Sequence, residues 1–84
     1  MARYLSLHGL GCLPKQAFAA LCRSLFSDGV ARRVVAGQIA EKLLVEFDAA
    51  DADAAAVWLR DHKLLPLWLM RIDYESRDGE LHEF

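Results

Sequence analysis

The chain is poor in the features that mark a specialised class, and each shortage excludes something. Cysteine occurs twice, at Cys12 and Cys22, in no CxxC pair, so no disulfide framework is visible. Positive charge is not in excess: 10 Lys and Arg stand against 12 Asp and Glu, for a net charge of −2. Phosphate binding needs clustered cations, so no nucleic-acid partner is expected. No apolar run approaches the roughly 18 residues that span a bilayer, so no membrane partner is expected either. The opening Met1-Ala2-Arg3-Tyr4-Leu5-Ser6 has only a short apolar stretch, broken by His8. It lacks the sustained hydrophobic region and small-residue cleavage site of a secretory leader, and a reducing cytoplasm is the expected compartment. Solenoid repeats, nucleophile motifs, paired-carboxylate spacings and phosphate loops are also missing.

What the chain does have is apolar side chains, 55% of its 84 residues. A domain of this size buries roughly 60% of the surface its unfolded form exposes, enough for one core of thin stability. The apolar excess over one small core favours a self-association surface.

Residues Ala2 to His8 alternate, with Arg3, Leu5 and Leu7 on one side and Tyr4, Ser6 and His8 on the other, which predicts a strand. Gly9 to Leu13, with two glycines, predicts a loop. Pro14 suits a first helical turn, and Phe18, Leu21, Cys22 and Leu25 then form an i, i+3, i+4, i+7 stripe. Ser27-Asp28-Gly29 ends that helix, with Gly29 free to adopt the left-handed conformation. An irregular strand is predicted from Val30 to Ile39 and a regular one from Lys42 to Asp48, paired as a hairpin turning between Ala36 and Glu41. Asp51 predicts an N-cap and Asp53 an acidic first turn. The helix that follows is expected to bury Ala54, Val57, Trp58 and Leu65 or its neighbours, and Pro66 stops it. Trp68, Met70, Ile72 and Tyr74 alternate with Leu69, Arg71, Asp73 and Glu75 as a fourth strand. Residues 1–75 thus form a single domain, and residues 76–84 a polar C-terminal tail, mobile unless Leu81 and Phe84 dock on a neighbour.

The order strand, helix, strand, strand, helix, strand predicts an α+β fold, a ferredoxin-like βαββαβ sandwich. Its four-stranded antiparallel sheet has the order 4-1-3-2 in that fold, with two helices on one face. Tyr4, Ser6, His8, Leu44, Leu69 and Arg71 are the candidates for the uncovered face. That mixture suits a protein interface, and a homodimer through the open sheet face is the expected assembly.

The stretch Lys42-Leu43-Leu44-Val45-Glu46-Phe47-Asp48-Ala49-Ala50-Asp51 before an alanine-rich helix resembles a family of small bacterial ferredoxin-like domains of unknown function. The opening strand, ending in His8 before a glycine loop, resembles it too. The resemblance implies kinship with dimeric α+β barrel proteins, which pair open sheet faces, and one member of the family binds nickel. The irregular second strand departs from that pattern. So does the second helix, where a histidine-rich segment is reduced to His62. No ligand is carried over from the family.

Chain direction brings His8, Cys12, Gln38, Glu41, His62 and Lys63 toward one end of the domain. His8, Cys12 and His62 are the candidate metal ligands, since imidazole and thiolate suit nickel, zinc or copper. The fourth position falls to Glu41, water or a second subunit. No other cofactor is implied. His8 is also the candidate acid–base group of a small cofactor-free enzyme, with Tyr4, Ser6 and Arg71 beside it. The plainer readings are a hydrogen-bonded strand histidine and a loop thiol. Cys22, Trp58 and Trp68 read as core residues, Arg32 and Arg33 as charges blunting an edge strand, and Asp48, Asp51 and Asp53 as an acidic helix start. Three functions follow: a non-catalytic homo-oligomeric binding domain of unknown ligand, a transition-metal binding protein, and an enzyme using His8.

Overall fold

The computed structural model describes all residues, Met1–Phe84. The elements run β1 (Ala2–Gly9), α1 (Lys15–Phe26), β2 (Ala31–Gly37), β3 (Lys42–Ala49), α2 (Ala52–Asp61), β4 (Pro66–Ile72), β5 (Tyr74–Glu75) and β6 (His82–Glu83). The first four strands form an antiparallel sheet in the order β2-β3-β1-β4. The fold is therefore α+β, two helices with one four-stranded antiparallel sheet.

Local chemistry explains the boundaries. Pro14 precedes α1 in an extended conformation, and Gly29 takes φ +76° after its end. The Asp51 carboxylate accepts the Ala54 N–H at 2.8 Å, satisfying one of the donors a helix start leaves free. At the far end of α2, Lys63 takes φ +60° and the Leu64 N–H returns to the Leu59 carbonyl at 2.9 Å. This is a Schellman closure built without glycine.

The core lies on one face of the sheet. Tyr4, Leu43, Val45, Phe47, Ala31 and Ala49 from the strands join Leu25 of α1 and Ala55 and Leu59 of α2. Phe47 is at its centre, stacked between Tyr4 and Trp58 at centroid separations of 6.1 and 4.6 Å.

Several expectations are corrected here. Tyr4, Ser6 and His8 are buried on the core face, not the uncovered one. The pairings Tyr4↔Phe47, Ser6↔Val45 and His8↔Leu43 leave no choice, because paired residues share a face. Ser6↔Leu69 and Tyr4↔Arg71 carry Leu69 and Arg71 to the same side, so of the six candidates only Leu44, opposite Leu7, lies on the opposite face. Helix α2 buries Ala55 and Leu59, with Trp58 half-buried, whereas Ala54 and Val57 are exposed: the stripe is 55, 58, 59 and 62, one residue round from the expected one. Trp68 is 41% exposed and so is not a core residue. Strand β4 ends at Ile72, and the tail doubles back so that β6 pairs with β5. The Phe84 N–H then bonds the Asp73 carbonyl at 3.1 Å, and its ring sits 5.1 Å from the Arg3 guanidinium.

Because Phe47 is fully buried among aromatic rings, Phe47→Ala should cost about 3–5 kcal/mol. Urea denaturation followed by circular dichroism measures this, and a loss under about 1 kcal/mol would contradict a core centred on that ring.

Candidate functional site

Strand β1 carries the candidate chemistry on its inner side. His8 is 1% exposed and Ser6 fully buried. Ser6 Oγ lies 3.4 Å from the Val45 carbonyl, to which it donates, and 2.7 Å from His8 Nε2. The Nε2–Oγ bond can form with either ring tautomer, and the other ring nitrogen is Nδ1. That atom has no hydrogen-bond partner. Burial pushes the His8 pKa below its ordinary value of 6.5. The Leu65 backbone, which favours a protonated ring, opposes the shift only in part. The ring is thus neutral at pH 7 and sealed. A general base must come within hydrogen-bond reach of a substrate proton, and none of the surface clefts is lined by His8.

The other predicted residues separate. Cys12 is exposed in the β1–α1 loop and shares a cleft with Leu10, Gly11, Leu13, Gln38 and Glu41. The Leu10 N–H bonds the Glu41 carbonyl at 2.9 Å, holding that loop to the β2–β3 hairpin. Chain direction therefore does unite Cys12, Gln38 and Glu41. His62 lies elsewhere, edge-on to Trp58 at 4.8 Å, with Nδ1 3.3 Å from Ser24 Oγ and Nε2 3.9 Å from Asp28 Oδ2. Asp28 also accepts Trp58 Nε1–H at 2.9 Å, and that bond most lowers its pKa. His62 and Trp58 therefore tie α2 to the end of α1. Lys63 borders a separate groove with Arg60, Leu64 and Pro66. No three His, Cys, Asp or Glu side chains form a metal-holding group, so His8, Cys12 and His62 do not come together as one.

On the outer side of β1 the structure collects what the sequence reading missed. Register places Leu7 in a row with Trp68 on one flank and Leu44 and Val35 on the other, and Leu5 in a row with Met70 on one flank and Glu46 and Arg33 on the other. Met70, Trp68 and Val35 are 49%, 41% and 41% exposed. At one end of this strip Arg3 bonds both Asp48 and Glu46 at 2.7 Å, and Arg32 bonds Asp48 at 2.6 Å. The hydrogen bond Arg3 donates to Asp48, then the one it donates to Glu46, raises the Arg3 pKa against its burial. Burial pushes Asp48 upward, but its two arginine partners outweigh that and hold it low. Part of the signal was present in the sequence: Leu5 and Leu7 of β1 and Trp68, Met70 and Ile72 of β4 are apolar at alternate positions, and sheet pairing puts them together.

The His8 shift has a definite sign. Above pH 6.5 the ring is neutral folded and unfolded, and its stabilising contribution is whole. As pH falls below 6.5 the unfolded chain takes up the proton first, so stability declines until the lower folded pKa is passed. Each unit between the two values is worth about 1.4 kcal/mol. Urea denaturation from pH 7.5 to 5 should show this decline, and His8→Gln should flatten it; an unchanged slope in the variant would rule out the buried neutral ring.

No family model matches the chain, and no curated protein or solved structure matches it either.

Proposed function

We propose that this is a non-catalytic binding domain of ferredoxin-like layout that works as a homodimer closed through the outer face of its sheet. The layout is supported by the strand order, which reads β4-β1-β3-β2 from the other edge, and by the single core that takes side chains from both helices.

The observation that carries the dimer is the apolar strip Leu5, Leu7, Val35, Leu44, Trp68 and Met70. Its surroundings select the partner. The charges at its end are already neutralised within one copy: Arg3 with Glu46 and Asp48, and Arg32 with Asp48. Two exposed cations on this face, Arg33 on the edge strand β2 and Lys42 at the start of β3, pair with no carboxylate, so a second copy fits with the apolar rows in contact and both cations left at the solvated rim. The size is adequate. Four strands about 4.8 Å apart and eight residues of about 3.3 Å give a flat footprint of about 500 Å². Two such faces together cover about 1,000 Å² of flat footprint, near the lower bound of about 1,200 Å² of accessible surface for a stable interface.

Light scattering at micromolar concentration should return twice the 9.4 kDa chain mass. Met70→Glu, which puts a charge in the strip without touching the core, should give the single-chain mass with unchanged circular dichroism. Trp68 emission should shift to the blue as the wild-type chain is concentrated. A wild-type monomer at tens of micromolar, or a Met70→Glu dimer, refutes the pairing.

A further inference from the structure

A second feature lies between α1 and the β2–β3 hairpin, on the core side of the sheet. Leu10, Leu13, Phe18 and Ala36 line an apolar cleft of about 280 Å³, with Lys15 and Gln38 as its polar lining. The sequence explains why it is open. Helix α1 presents Phe18, Leu21, Cys22 and Leu25 to the sheet, but only Leu25, near its C-terminal end, is fully buried. At the other end of the helix the inward residue of β2 is Ala36, on the same side as Leu43. Its single methyl group does not fill the space beneath Phe18. Unfilled apolar space forfeits dispersion contacts that a bound apolar group restores.

The charge at the cleft is equally particular. Lys15 is exposed and pairs with no carboxylate. It opens a helix with no acidic residue in its first turn, and the helix dipole disfavours a cation there. Helix stability therefore does not account for Lys15, and it remains available to an anion. Glu41 borders the adjoining cleft with Cys12 and opposes any ligand of high negative charge. The volume is just under the roughly 300–1,000 Å³ typical of ligand pockets, which limits the occupant to a small molecule.

We propose that this cleft binds a small amphiphilic monocarboxylate, with its apolar body between Leu10, Leu13, Phe18 and Ala36 and its carboxylate at Lys15 Nζ. The site lies away from the outer sheet face, so it is filled in monomer and dimer alike and does not depend on the pairing.

The probe is sodium octanoate, titrated below its micellar range into the ¹⁵N-labelled 84-residue chain. Amide shifts should saturate at residues 13–18 and 36–38 with a dissociation constant under about 1 mM. Lys15→Gln, an exposed change, should weaken binding by up to about fivefold, as expected for a solvent-exposed ion pair. Octylamine should not bind. Ala36→Leu should fill the space and abolish the shifts while keeping or raising the melting temperature. The proposal is overturned if octanoate causes no saturable shift, if the shifts fall on Leu5, Leu7 and Met70 instead, or if octylamine or the Lys15→Gln chain binds as well as octanoate binds the wild type.

Discussion

The structure depends on the pairing of β1 along both of its edges. Its register with β3 and β4 commits every residue from Arg3 to His8 to one side or the other. A slip of one position would exchange the two sets. As it stands, Tyr4, Ser6 and His8 meet Phe47, Val45 and Leu43 inside, while Arg3, Leu5 and Leu7 point outward. One imidazole is thereby buried with a single hydrogen bond, and two leucines are left at the surface.

These consequences oppose each other energetically. A buried neutral histidine with an unpartnered Nδ1 stabilises less than an apolar side chain of its size would, because that ring nitrogen has lost its water. The outward leucines are only half-buried in the single chain. Both make the isolated domain weaker than its apolar content suggests, and the proposed pairing of the outer face would recover part of that loss. The loose docking of α1, anchored at Leu25 and open near Phe18, follows the same logic. A small domain has too few large side chains to fill every space its elements enclose.

Element ends were readable because they are set by backbone chemistry within a few residues. Pro14 before α1, the left-handed Gly29 after it, and the Asp51 cap are each independent of the rest of the molecule. Facing was not readable. Both sides of β1 mix polar and apolar residues, so alternation says that there are two sides and not which is inside. In α2 the run Ala54-Ala55-Ala56 makes neighbouring stripes chemically alike, and only contact with Phe47 shows that Ala55, Trp58 and Leu59 are the inward set. The return of the tail through β5 and β6 is marked only by the Asp78-Gly79 turn, with Gly79 at φ +90°, since two-residue strands are too short to show a period.

The candidate site divides along the same line. That Cys12, Gln38 and Glu41 share one end follows from chain direction, which the order of elements supplies. That His8 is sealed beneath that end and that His62 joins the two helices depends on distances across the sheet and between helices. The amino-acid sequence by itself determined the six main elements and their direction, though α2 and β4 end earlier than expected, because propensity, capping and period act within short windows. Only the tertiary structure decided which face of β1 is buried, and with it the fates of His8, Leu5 and Leu7. The reason is physical: a strand's alternation is symmetric, and only the partners across its two edges can break that symmetry.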